Sequence, residues 1–80
     1  MYLKRLKDLR EDADAKQSNI ADVLKITRQQ YSLYELGKRD IPAEFIRTLA
    51  KYYNTSTDYI LELTDDITPY KQKNDKWLSH

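Results

Sequence analysis

Arg28 and Gln29 stand side by side and carry the most specific chemistry in the chain. An arginine guanidinium pairs with the edge of a guanine through two hydrogen bonds, and a glutamine amide does the same with an adenine. The alternative is two solvated residues on a helix surface. Which reading holds depends on the elements that aim them. Enzymatic chemistry has far less support. Asp65 and Asp66 are adjacent carboxylates, but no cysteine or glycine-rich phosphate loop accompanies them, and the one histidine, His80, is the last residue. The expectation is therefore no catalytic site, no metal and no cofactor.

The spacing of apolar residues predicts an all-α chain of five short helices. Leu3, Leu6, Leu9 and Ala13 mark the first, over about residues 2–13, and its outward side is charged. A break near residues 14–16 precedes a second helix, Gln17 to Leu24, with Ile20, Ala21 and Leu24 on one side. Thr27 suits the N-cap of a third, Arg28 to Leu36, and Gly37 suits the left-handed position that ends it. Pro42 fits the first turn of a fourth helix, whose stripe is Phe45, Ile46, Leu49, Ala50 and Tyr53. Ser56 is placed to cap a fifth, roughly residues 57–63. From Thr64 onward no period is sustained, so residues 1–63 read as the domain and 64–80 as a polar tail.

The second and third helices, joined by "KIT", have the helix-turn-helix arrangement, in which the second member can enter a major groove. Ala21 faces the close crossing, and Ile26 plugs the turn. At roughly 100° per residue, Tyr31 and Tyr34 fall on one side of the third helix. Arg28, Gln29, Ser32, Leu33 and Leu36 fall on the other. One side suits a core and the other faces outward.

Composition is consistent with this without requiring it. Eighty residues make one small domain, no apolar run approaches a membrane span, and a soluble, cytoplasmic protein is expected. The formal net charge is only +1. Residues 16–40 hold five basic against three acidic side chains, a weak bias that decides nothing by itself.

Three ordered motifs carry a family resemblance: "Q-x-x-I-A-x-x-L" at 17–24, "I-T-R-Q-Q-Y-S-x-Y-E-x-G-K-R" at 26–39, and "IP…LAKYYN…DYIL" in the last two helices. Over residues 3–63 the chain resembles the phage repressor and Cro-like (XRE-like) helix-turn-helix domains. The resemblance implies a sequence-specific regulator of double-stranded DNA, a repressor reading a two-fold operator as a homodimer. It places Thr27, Arg28, Gln29 and Leu33 at base-facing positions, with Ser32 beside them. It puts Gln17, Lys38 and Arg39 against the DNA backbone, and it matches Arg10 and Glu35 to an ion pair that orients the third helix. Tyr59, Ile60 and Leu63 become candidates for a dimer interface.

The chain departs from the family at three points. Lys16 stands where serine or threonine usually caps the second helix, at a cost of about 1 kcal/mol. Lys25 stands where the turn often has glycine, and a left-handed lysine there costs about 1–2 kcal/mol. Leu33 replaces a polar base reader and offers instead a surface for a thymine methyl or a protein partner. The tail, with Tyr70, Trp77 and Leu78, supports a rival reading. On that reading the chain is an antitoxin-type interaction protein whose tail binds a partner protein and whose DNA binding serves autoregulation.

Overall fold

The computed structural model describes residues 1–70, and all the regular secondary structure in that span is helical. In chain order the helices are α1 (Lys4–Asp12), α2 (Gln17–Leu24), α3 (Arg28–Glu35), α4 (Ala43–Tyr52) and α5 (Thr57–Ile60). The five-helix, all-α expectation holds: α2 has the expected bounds, and the other helices differ by up to three residues at one end or both. Trp77 and Leu78 lie outside the described residues.

Each helix turns its apolar stripe towards a single core. Leu6 and Leu9 of α1 meet Ile20, Ala21 and Leu24 of α2, Tyr31 and Tyr34 of α3, Ile46 and Leu49 of α4, and Ile60 of α5. Packing follows the chain: α2 lies on α3, α4 on α5, and α1 touches both α3 and α5. A fully buried leucine or isoleucine contributes about 1.5–3 kcal/mol. Leu6, Ile20, Leu49 and Ile60, all fully buried, are therefore the main apolar anchors.

All five helices end in the same way. In each, a residue one (α2) or two (the other four) past the last helical one has positive φ, and its N–H and the next one fold back onto helix carbonyls. This is the Schellman arrangement. The left-handed residues are Asp14, Lys25, Gly37, Asn54 and Glu62, and only one of them is glycine. The exception has a steric cause. A Cβ on Gly37 would sit 2.9 Å from both Cα and Cβ of Tyr2, whereas the other four side chains project into solvent. Glycine is needed where the N-terminal segment crosses the terminator.

Three details differ from the sequence expectation. Pro42 precedes α4 as its N-cap, with ψ of 146°, instead of lying inside the first turn. Helix α5 is a single turn, because Glu62 takes the left-handed conformation and stops it. Residues 64–70 run back along the domain. Arg5 Nη1 donates to the Tyr59 carbonyl at 2.8 Å and the Thr64 carbonyl at 2.5 Å, and Nη2 pairs with Asp65 at 2.7 Å. Its guanidinium carbon also lies 4.1 Å from the centre of the Tyr59 ring. Further along, Thr55 Oγ1 donates to the Ile67 carbonyl at 2.6 Å, and the Tyr70 hydroxyl meets Asp58.

Candidate nucleic-acid interface

The interface is built from the bend between α2 and α3. Lys25 occupies the left-handed region (φ 59°, ψ 42°), which lets its N–H reach Asp22 O at 3.1 Å and the Ile26 N–H reach Ala21 O at 3.0 Å. Ala21 is 1% exposed, leaving no room for a larger side chain at the crossing. Ile26 packs against the core, as a plug in the turn should. The strain at Lys25, about 1–2 kcal/mol, is offset by the bonds that close the helix and by the packing of Ile26.

Thr27 then starts α3 with a reciprocal cap. Its hydroxyl accepts from the Gln30 N–H at 3.1 Å, and the Gln30 side-chain oxygen accepts from the Thr27 N–H at 3.0 Å. The Thr-x-x-Gln spacing is a capping box, a local signal already present in the sequence. It fixes the first turn of α3 while leaving Arg28 and Gln29 exposed. On the opposite side Tyr31 is fully buried, and Tyr34 packs edge-on against Phe45 with ring centres 6.2 Å apart. Ser32 and Leu33 are half-buried on the outward side. Beyond α3, the Lys38 and Arg39 N–H groups both bond to Leu33 O, at 3.0 and 3.3 Å, and both side chains stay exposed. Helix α2 starts differently. Lys16 offers no side-chain acceptor, and its own N–H bonds to Asn19 Oδ1 at 2.9 Å.

Beneath this surface lies a buried polar cluster. Arg10 grips Glu35 through two hydrogen bonds, Nε to Oε2 at 2.6 Å and Nη2 to Oε1 at 3.1 Å. Arg10 Nη1 also donates to the Ala15 carbonyl at 3.0 Å, tying in the α1–α2 turn. Glu35 is 6% exposed. Burial alone would raise its pKa, but the hydrogen bonds from Arg10 and its neighbours outweigh that and hold the carboxyl below its ordinary range. Burial, followed by the Glu35 carboxylate close by, pushes the Tyr31 hydroxyl far above its ordinary value. Burial likewise raises Tyr53. Neither of these hydroxyls has a hydrogen-bond partner among the described residues.

Gln17 connects the cluster to the surface. Its Nε2 donates to Glu35 Oε1 at 3.1 Å, and its Oε1 accepts from Arg28 Nη1 at 3.4 Å. The sequence reading assigned Gln17 to the DNA backbone and did not anticipate these two bonds. Thr27, Arg28, Gln29, Lys38 and Arg39 are exposed and follow one another along α3 and the turn after it. The third group of expected residues is split. Leu63 is 72% exposed and Tyr59 is half-buried under Arg5, but Ile60 is fully buried. Ile60 is a core residue, which removes it from any surface contact.

Comparison with known proteins now fixes the family. A match to the helix-turn-helix domain covers residues 3–66. The chain belongs to that family. It is 36% identical over 69 residues to the HTH-type transcriptional regulator YobD of Bacillus subtilis, covering 86% of this chain and 62% of that protein. It is 40% identical over 58 residues to the HTH-type transcriptional regulator ImmR of the same organism, covering 72% and 46%. The SPbeta prophage-derived regulator YonR is 38% identical over 64 residues, covering 80% and 59%. The helix-turn-helix chain thus spans about half to three-fifths of the length of these relatives. No solved structure matches it at a significant level. Among the described residues, no helix is long and apolar enough to cross a membrane.

Proposed function

We propose that the chain is a sequence-specific double-stranded-DNA-binding transcriptional regulator, acting as a repressor that reads a two-fold operator as a homodimer. The observation that carries this reading is the exposed Arg28–Gln29 pair on a helix whose first turn is locked by the Thr27–Gln30 capping box. Preset side chains of these types match guanine and adenine edges in a major groove. Ser32 and Leu33 extend the base-facing side, and Thr27 borders it. Lys38 and Arg39 meet the phosphates beyond the C-terminal end of α3. Gln17 serves the backbone on the other flank. The first-turn N–H groups of α2, which the Lys16 side chain does not cap, serve the same phosphate strand in this reading. Arg10 and Glu35 hold α3 at its angle and do not read sequence.

With Ile60 in the core, the dimer surface is proposed at Leu63 and the half-buried Tyr59. Two copies of α3 then meet half-sites about 34 Å apart, one helical turn of DNA. Selection of bound fragments from random DNA, followed by anisotropy titration at several salt concentrations, tests the proposal. A single enriched two-fold motif is expected. With about 6–8 phosphate contacts per dimer, log affinity falls against log salt with a slope of about −5 to −7. Absence of any enriched sequence would refute the regulator reading.

A further inference from the structure

Leu36 is an anomaly on α3. It ends the helix in a right-handed conformation (φ −77°, ψ −9°) yet is 58% exposed. At about 100° per residue it projects roughly 80° from Arg28, between Ser32 and Gln29, with Leu33 about 60° further round. It therefore lies near the middle of the outward side, about 12 Å beyond Arg28 along the helix, a span of three to four base-pair steps. The outward side is polar at its N-terminal end and apolar at its C-terminal end. Neither Leu33 nor Leu36 can donate or accept a hydrogen bond, so neither can read an ordinary base edge. The thymine C5-methyl is the apolar group that a major groove displays.

From this arrangement we infer that Leu36, with Leu33 beside it, is a specificity-determining apolar reader that packs on the C5-methyl groups of thymines in the operator. The inference rests on the DNA-reading role proposed above. Continuity with that surface is what selects DNA as the occupant. Arg28 and Gln29 precede Leu36 on the same side, and Lys38 and Arg39 follow within three residues. A helix that places both ends of this side on DNA carries Leu36 to the groove between them. The exposure of Leu36 agrees with a side chain that faces outward from the domain.

The test uses the full chain and the operator obtained by selection. Each thymine is replaced in turn by deoxyuridine, which keeps the hydrogen-bonding edge and removes only the methyl group. Wild type and Leu36→Ala are titrated on each duplex. Burial of one methyl corresponds to about fourfold in affinity. The wild type should lose about fourfold at one or more thymines lying three to four base pairs from the guanine that Arg28 reads. Leu36→Ala should lose nothing further there, and Leu36→Met should restore part of the sensitivity. Insensitivity at every thymine overturns the inference. So does a loss that persists in full in Leu36→Ala, which would assign the methyl to another residue. A variant that keeps methyl sensitivity but falls apart as a dimer in sedimentation also overturns it and gives Leu36 to a second copy. Failure of the regulator reading looks different, because no sequence would be selected at all.

Discussion

The side-chain amide of Gln17 donates to Glu35 at 3.1 Å, and that bond decides which way the amide faces. An ionised carboxylate only accepts hydrogen bonds, so the NH2 group of Gln17 must point inward. Its carbonyl oxygen is left facing Arg28, whose Nη1 lies 3.4 Å away. A buried charge thereby helps to aim a residue on the proposed reading surface. The chain of contacts runs from Arg10 through Glu35 and Gln17 to Arg28, linking α1, α3 and the start of α2.

Removing one partner of the buried pair should be costly. Arg10→Ala leaves Glu35 charged and nearly inaccessible, and a loss of about 3–5 kcal/mol is expected in urea denaturation. A change below about 1 kcal/mol would mean that the pair is worth no more than a surface contact.

The same pair sets a pH dependence. The Glu35 carboxyl is held below its ordinary value in the folded chain, by hydrogen bonds that outweigh its burial. Its contribution is therefore complete above the unfolded pKa of about 4.3 and is lost as pH falls through the lower folded value. Stability measured from pH 6 down to pH 2 should decline in the wild type, and the decline should be shallower in Glu35→Gln. Identical slopes in the two proteins would remove Glu35 from the acid response.

Positions 25 and 37 should respond in opposite ways to exchange with glycine. Gly37→Ala adds left-handed strain of about 1–2 kcal/mol and places a Cβ at 2.9 Å from Tyr2, so the melting temperature should fall. Lys25→Gly relieves strain at an exposed site, though glycine adds unfolded-state entropy. The expected result is a gain of at most about 1 kcal/mol. A stabilising Gly37→Ala would contradict the steric account.

Much of this domain was legible in the sequence because its signals are local. Thr27, Ala21 and Ile26 each have a role set within a few residues, and each occupies the expected position. Gly37 ends α3 as expected, but the contact that demands glycine there comes from Tyr2, in the segment before α1. Lys25 and Asn54 show the limit of such signals. Their left-handed conformations follow from helix closure, which the residue type announces weakly in asparagine and not at all in lysine. Arg5 was not legible, because its partners Tyr59, Thr64 and Asp65 lie 54–60 residues away in the chain. Ile60 looked equally suited to core and interface on a one-turn helix. Only tertiary packing separates those roles, and it buries the side chain completely. Gln17 was assigned by its position in a motif, and its bonds to Glu35 and Arg28 depend on how α2 and α3 cross.

Arg5 should act as the clip for residues 64–67. In Arg5→Ala the carbonyl contacts at Tyr59 and Thr64 and the Asp65 ion pair are all lost. Hydrogen exchange should then quicken across Thr64–Ile67 while protection within α2 and α3 is kept. Uniform loss of protection would show that Arg5 supports the whole core instead of one segment.

The most direct test of the central claim compares α3 with the turn that follows it. Affinities of wild type, Arg28→Ala, Gln29→Ala and Lys38→Ala are measured on the selected operator and on an unrelated duplex at fixed salt. Arg28→Ala and Gln29→Ala should each weaken operator binding by about 1–3 kcal/mol while leaving the unrelated duplex nearly unchanged. Lys38→Ala should weaken both about equally and reduce the salt slope by about 1. Equal losses on both duplexes for Arg28→Ala and Gln29→Ala would contradict the account, since α3 would then bind DNA without reading it.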